Sequence, residues 1–550
     1  MNILLLASND LAALNSSRIF NNQNFRVFNI YLTKKTPLNY SNSVYKSSYI
    51  GNPFCNYNIF KKNLSDYIKN NKIQIILPIN DIATDIIFDC KKELDKICQL
   101  IIPNEEAYRI ARNKLESLHL AEKLQIPVPK YKVLRDLNVP NISYPCYLKP
   151  LSSTLISADS CYSFSVKKVV NKTEMIDFLR ETINILPVMA QENIDGYGLG
   201  VNVFCKKGKI ITHTVNKRIH EPPHGGGSSY RKSIRLDPTL REYVEALVTA
   251  MKLDGAMMFE FKATNNEYVL MEINPRLWGS LSVSTFSGVN FPMLMLGRNN
   301  NEYKNYNYGL YSRNLRKDLK WIFCEINRSK NLFCLIKWLG TFRRIILQKE
   351  VFDVEDIKDL KPALYQFFIQ IDSFLEKCVL LLKKYIYQLV GKQKSLHLRK
   401  YEKILFVCKG NINRSAFAEK YLKNFYPSIF CSSAGTLLKR GRKTTSKGII
   451  SAEKFGVNLK NHISQTIYDI NLEYFNKILV FDWENYISFL DVYPNFSSKV
   501  FLIDSGNSKG YQFIKPKEIK DPFGKSQKDY YRCFKKIKIS IEKIFKISTN

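Results

Sequence analysis

KILFVCKGNINRSAFAEKYLKNF, residues 403–425, decides the reading of the last third of the chain. Residues 403–408 are an apolar run of strand length, and residues 415–425 place apolar side chains at helical spacing. Between them Cys408 and Arg414 are separated by five residues. A loop of that length, wound between a buried strand and a helix, turns its backbone N–H groups inward and forms a nest for an anion. The helix adds the positive end of its dipole. The same donors favour the thiolate form of a cysteine at the floor of the nest. Arg414 is suited to grip two oxygens of a phosphoryl group, and Gly410 to permit a tight turn. Lys409, Gly410, Asn411, Ile412 and Asn413 are the candidate phosphate loop, with Cys408 the candidate nucleophile.

The stretch Val407-Cys408-Lys409-Gly410-Asn411-Ile412-Asn413-Arg414-Ser415 resembles the phosphate-binding loop of low-molecular-weight protein tyrosine phosphatases, whose usual form is V-C-x-G-N-x-C-R-S. The resemblance implies that Ser415 hydrogen-bonds the thiolate and that Asn411 braces the loop. Ser433-Ala434-Gly435-Thr436 is similar to the family's next block. Asp521-Pro522-Phe523 stands where the family carries an acidic loop before its last helix. Asp521 is therefore the expected general acid, and Phe523 a wall for an aromatic ring. The family's second loop cysteine is replaced by Asn413, which removes a disulfide partner and no catalytic group. An arsenate reductase-like domain is the alternative on this fold. It needs resolving cysteines, and downstream of the loop the sequence offers only Cys431 and Cys533.

Working toward the N-terminus, residues 391–402 read as a linker, and residues 301–400 as a basic helical connector with a net charge of about +10. Further upstream, Phe259-Glu260-Phe261 and Leu270-Met271-Glu272-Ile273-Asn274-Pro275-Arg276 form two strand-like runs around the polar turn Thr264-Asn265-Asn266. Pairing them brings Glu260 and Glu272 together. Two carboxylates and the Asn274 amide are oxygen donors suited to a hard cation, and Arg276 supplies a fixed positive charge. Lys207-Gly208 reads as a second hairpin turn.

These runs resemble the metal-binding end of the ATP-grasp superfamily, closest in character to carbamoyl-phosphate-synthase-like ligases. The resemblance implies ATP with Mg2+, or Mn2+ in its place, held by Glu260, Glu272 and Asn274. It makes Lys114 and Lys149 nucleotide lysines, and Gln191, Glu192 and Ile194 the hinge that holds adenine. It further implies small carboxylate and amine substrates joined through an acyl phosphate. The sequence departs from the family after Lys149, where Leu151-Ser152-Ser153-Thr154-Leu155-Ile156 lacks the usual glycines. That departure keeps a second reading, a nucleotide-binding module that ligates nothing and regulates the phosphatase. Gly225-Gly226-Gly227-Ser228-Ser229 reads as a loop beside the acceptor, and His213, His220 and His224 as a poor zinc set.

The expected fold class is α/β multidomain. Residues 1–110 form a Rossmann-like pre-grasp domain, 111–300 an α+β ATP-grasp domain, and 301–400 the helical connector. Residues 401–550 form a doubly wound parallel-sheet phosphatase domain acting on a phosphotyrosine protein. With 83 Lys and Arg against 49 Asp and Glu, the 550 residues carry a formal charge of +34. That charge allows weak contact with an anionic membrane surface. No zinc-finger spacing or aromatic RNA-binding motif accompanies it, so no nucleic acid is expected. Twelve scattered cysteines fit a reducing compartment. MNILLLASND is too short for a signal peptide and lacks a basic start, so it reads as a first strand. No uncharged run reaches transmembrane length, and the expected location is the cytoplasm.

Overall fold

Residues 2–7, NILLLA, alternate between two cores. Ile3, Leu5 and Ala7 join one buried cluster, while Leu4 and Leu6 join another on the opposite face of the sheet. A strand covered on both faces needs such an unbroken apolar run. Each fully buried aliphatic side chain contributes about 1.5–3 kcal/mol relative to exposure. In the computed structural model this strand, Asn2–Ala7, is the centre of a five-stranded parallel sheet. Arg26–Tyr31 and Lys46–Ser48 lie on one side of it, Ile75–Pro78 and Gln99–Leu100 on the other. This is the Rossmann-like order. The structure describes every residue except 8–10, 34, 140, 158–160, 223–226, 266, 298–305, 391–401, 438–440, 506–517 and 547–550. The linker expected at 391–402 and His224, Gly225 and Gly226 of the glycine-rich loop thus lie outside the described residues, Glu402 and Gly227 excepted.

The chain divides into two compact units, Met1–Ile369 and Gln370–Asn550. In the first, besides a two-stranded pair of Thr154–Ile156 with Cys161–Ser163, the parallel sheet is followed by two further sheets. One has four strands in the order Lys167–Val169, Cys146–Pro150, Val188–Glu192, Tyr131–Leu134. The other has seven, and its long hairpin, Tyr197–Lys206 with Lys209–His220, turns at Lys207-Gly208. Ahead of the four-stranded sheet in the chain come two helices, Glu105–Arg112 and Lys114–Lys123. They are broken at Asn113, whose side chain accepts hydrogen bonds from Leu115 N and Glu116 N.

The helical connector expected over 301–400 needs correction. Tyr311–Arg313 and Glu350–Phe352 are strands that extend the seven-stranded sheet beyond Tyr230–Ile234. Charge counting treats their ionic residues as solvated, whereas they neutralise one another inside. Arg313, fully buried, lies 2.6 Å from both Asp318 and Glu350. Arg231 pairs with Asp353 at 3.0 Å, and Tyr230 donates to Glu350 at 2.7 Å. His220, weighed above as a zinc ligand, stacks on Trp321 and meets Asp318 at 2.7 Å.

His213, on the second strand of the long hairpin, is packed edge-on against Tyr306. Burial, reinforced by Arg241, depresses it to about 4 from 6.5. The folded unit therefore resists a proton that the unfolded chain accepts. Its contribution to stability is complete above pH about 6.5 and is lost as pH falls toward 4. Urea midpoints of the wild type should decline over that window, and His213→Gln should flatten the decline. Equal slopes in the two proteins would count against this account.

In the second unit, Ile404–Cys408 lies between Cys431–Gly435 and Lys477–Val480, with Val500–Leu502 at the edge, all parallel. Ile404, Phe406 and Cys408 face one core, Leu405 and Val407 the other. Cys408 therefore ends the strand from which the sheet winds in both directions, the place where open α/β sheets bind ligands. Among the described residues no helix is long and apolar enough to cross a membrane.

Candidate active sites

The turn after Cys408 closes on its own sulfur. Asn411 N donates to Cys408 Sγ at 3.3 Å, and Ser415 Oγ stands 3.0 Å from the same atom. Asn411 takes a left-handed φ of 50°, a backbone state that asparagine tolerates better than most residues. Its amide donates to Ser415 Oγ at 2.9 Å and Ser433 Oγ at 2.8 Å. Its Oδ1 accepts from Gln465 N at 2.9 Å, and its carbonyl meets His462 Nε2 at 2.7 Å. The tight turn assigned above to Gly410 therefore belongs to Asn411. Gly410 contributes its carbonyl to Arg442 at 2.8 Å. The close approach falls at Gly435, where a Cβ would lie 3.0 Å from the Gly410 carbonyl carbon and 3.1 Å from Asn411 N.

Arg414 opens the helix Arg414–Phe425 and is 1% exposed. It donates to Asp482, to Ile519 O at 3.0 Å and to Asp521 Oδ2 at 2.8 Å. Its Nε–H is buried without a partner among the described residues, leaving a donor for a phosphoryl oxygen. Asp521 Oδ1 accepts from Phe523 N at 3.1 Å. Asn413 accepts from Thr445 Oγ1 at 3.0 Å. Lys409 pairs with Glu484 at the surface, and Ile412 is buried. A cleft of about 400 Å3 opens over Arg414, Asp482, Trp483 and Asp521. Phe523, expected as its aromatic wall, is 57% exposed and is not part of that lining; Trp483 is. Asp482 and Trp483 escaped sequence reading, although Asp482 follows two residues after the apolar strand Lys477–Val480 and caps the next helix by accepting from Asn485 N at 2.7 Å. Burial pushes the Cys431 and Cys533 thiols up to about 12, so neither is a ready resolving thiolate.

In the first unit Glu260 and Glu272 are register partners on adjacent strands. Asn274 Nδ2 donates to both carboxylates at 3.2 Å. Burial pushes Glu260 upward, partly offset by Arg218, which donates to it. For Glu272 burial acts the same way, but Lys149 and Lys114 outweigh it and hold the carboxyl below its ordinary range. Both lysines are themselves pushed down by burial. Lys114 opens its helix and reaches Ser153 Oγ at 3.0 Å, so a hydroxyl stands where glycines were expected. Lys149, buried, and Lys114, Glu260 and Glu272, half-buried, thus gather four charges around one point, the kind of cluster that shifts titrations at functional sites.

Arg276, expected to supply a fixed positive charge for a phosphoryl oxygen or a substrate carboxylate, is held by Asp81 at 2.7 Å and by Asn274 Oδ1 at 3.3 Å. Arg276, with other nearby cations, outweighs the effect of burial on Asp81 and holds it at about 2. Asp81 and Arg218 are the groups that sequence reading missed here. Gln191 is fully buried with both amide atoms unpartnered among the described residues. An orphaned amide offers N–H donors and a carbonyl acceptor side by side. Glu192 accepts from Lys130 N at 2.6 Å, and Ile194 lies two residues beyond it in the chain, half-buried. No group of three or more His, Cys, Asp or Glu side chains converges on a metal position among the described residues. Glu260 and Glu272 nevertheless offer oxygen donors of the kind magnesium accepts when phosphates and water complete its shell, whereas Asn274, expected as a third donor, turns its Nδ2 to both carboxylates and its Oδ1 to Arg276.

The family model described as low molecular weight phosphotyrosine protein phosphatase matches residues 403–548. That described as ATP-grasp in the biosynthetic pathway with Ter operon matches residues 184–314. The chain is 33% identical over 129 residues to the low molecular weight protein-tyrosine-phosphatase Wzb of Salmonella typhi, covering 23% of this chain and 80% of that protein. It is 30% identical over 130 residues to the phosphatase Etp of Escherichia coli, covering 23% and 82%. Among solved structures, the L-amino acid ligase from Bacillus licheniformis aligns at 14% identity and a TM-score of 0.44, covering 54% of this chain and 73% of that one. A biotin carboxylase from Campylobacter jejuni aligns at 17% identity and a TM-score of 0.44, covering 56% and 74%.

Proposed function

Because residues 403–548 make this chain a member of the low-molecular-weight protein-tyrosine-phosphatase family, we propose that its second unit hydrolyses phosphotyrosine through a cysteinyl-phosphate. The observation that carries this reading is the convergence on one cup of the Cys408 sulfur, the Ser415 hydroxyl and the Asn411 N–H, with Arg414 joining the cup to Asp521. The Cys408 thiolate attacks phosphorus as the bond to the aryl oxygen breaks. Asp521 gives its proton to that departing oxygen. The carboxylate then takes a proton from water, which attacks phosphorus, and the S–P bond breaks to release phosphate and restore the thiolate. Arg414 and the loop N–H groups hold the charge that builds on the phosphoryl oxygens.

Asp521→Ala tests the acid. It should slow phenyl phosphate by about a hundredfold and p-nitrophenyl phosphate much less, since nitrophenolate leaves without a proton. A uniform loss across leaving groups would remove Asp521 from that role.

For the first unit we propose ATP-dependent activation of a small carboxylate, followed by capture with an amine. The γ-phosphoryl group passes to a carboxylate oxygen and ADP leaves; the amine then attacks the acyl carbon and phosphate leaves. Lys114 and Lys149 neutralise the moving phosphoryl group. Magnesium, held by Glu260 and Glu272 with Asn274 beside them, would supply further positive charge to the triphosphate. Screening carboxylate and amine pairs for ADP release is the test. Magnesium-dependent ATP binding with no turnover across a broad screen would favour a non-ligating nucleotide module.

A further inference from the structure

The cleft over Arg414 has one wall that the phosphatase chemistry does not require. Leu380 and Leu381, from the helix Lys361–Val390, line it together with Lys409, Trp483, Lys520 and Asp521. Both leucines precede residue 403, where the match to the phosphatase family begins. This wall is therefore an addition to the family's fold. Lys383 ties the helix to Asp491 at 2.6 Å, and Asp491 belongs to the helix Trp483–Val492 that also carries Trp483 and Glu484 of the cleft.

Apart from Trp483 and Ile487, the remaining lining is polar. Lys409 and Glu484 pair across it, and Lys520 and Lys525 stand beside Asp521. Leu381 is 64% exposed and Leu382 58%. A leucine held against a cleft and left in water is a standing site for apolar surface, because covering it releases hydration water. A phosphoryl group bound by Arg414 sends its aryl ring outward through this mouth. The residue next to the phosphotyrosine then meets the rim.

Resting on the phosphatase reading, we infer that Leu380 and Leu381 form an apolar subsite that selects phosphotyrosyl peptides bearing a large apolar side chain beside the phosphotyrosine. The subsite acts on binding of the flanking residue and leaves the phosphoryl chemistry untouched. One half-buried leucine contact corresponds to a selectivity of about tenfold.

The test uses the full chain, two phosphotyrosyl peptides that differ only in leucine or serine beside the phosphotyrosine, and p-nitrophenyl phosphate. The wild type should favour the leucine peptide by about tenfold in kcat/KM, chiefly through KM. Leu381→Asp, at an exposed position, should erase that preference and leave p-nitrophenyl phosphate within about twofold, while Leu381→Met should retain the preference. Equal use of the two peptides by the wild type, or a preference that survives Leu381→Asp, overturns the subsite alone, provided p-nitrophenyl phosphate is turned over. Absence of p-nitrophenyl phosphate hydrolysis in the wild type overturns the subsite and the phosphatase reading together.

Discussion

Cys408→Ser should reduce hydrolysis of p-nitrophenyl phosphate by roughly four orders of magnitude or more, the scale on which loss of an enzymic nucleophile is felt. Among the described residues, sulfur is the strongest nucleophile at the floor of the cup. Its neighbours, Ser415 Oγ at 3.0 Å and Asn411 N at 3.3 Å, are placed to hold a negative sulfur. A serine hydroxyl fits the same space but keeps its proton and attacks far more slowly. The rest of the cup survives the change, since Asn411 is still tied to Ser433, Gln465 and His462. Binding of inorganic phosphate, followed by calorimetry, should therefore stay within a few-fold of the wild type. Substantial hydrolysis by Cys408→Ser would place the nucleophile elsewhere.

Glu272→Gln should weaken magnesium-dependent ATP binding by about a hundredfold or more, the size expected when one partner of a buried charge cluster is removed. Glu272 is the countercharge that Lys149 and Lys114 share. Without it, Lys149 is left with Glu260, already drawn to Arg218, and Lys114 with Asp81, already held by Arg276. The substitution is nearly isosteric, so a melting curve without nucleotide separates lost binding from lost folding. Calorimetry with and without magnesium reads the effect. An unchanged magnesium dependence would remove Glu272 from the cation site.

The two sites differ in how much of them the sequence discloses. The phosphate cup is almost wholly local. Cys408, Asn411, Arg414 and Ser415 span eight consecutive residues, and the geometry follows from a strand, a turn and a helix in succession. What stayed hidden came from elsewhere in the chain: Asp482 and Trp483, brought in by the parallel neighbour strand Lys477–Val480. The paired glutamates were legible because a short hairpin joins their strands. Arg218 and Asp81 were not, since only the assembled sheets bring them to Glu260 and Arg276. Parallel strands announced themselves through apolar runs such as NILLLA and ILFVC. The three-residue strands Tyr311–Arg313 and Glu350–Phe352 could not, being too short for a period and occupied by Arg313 and Glu350, ions that elsewhere would signal surface.

That last pair of strands has a practical outcome for anyone dividing the gene. A fragment ending near residue 300, the boundary suggested by the grasp motifs, strips Tyr230–Ile234 of its outer neighbour. It also strands Arg231 without Asp353, and Tyr230 without Glu350. Such a piece offers a raw strand margin for self-association and carries an unpaired interior guanidinium. The smallest soluble version of this half is expected to extend to about residue 369.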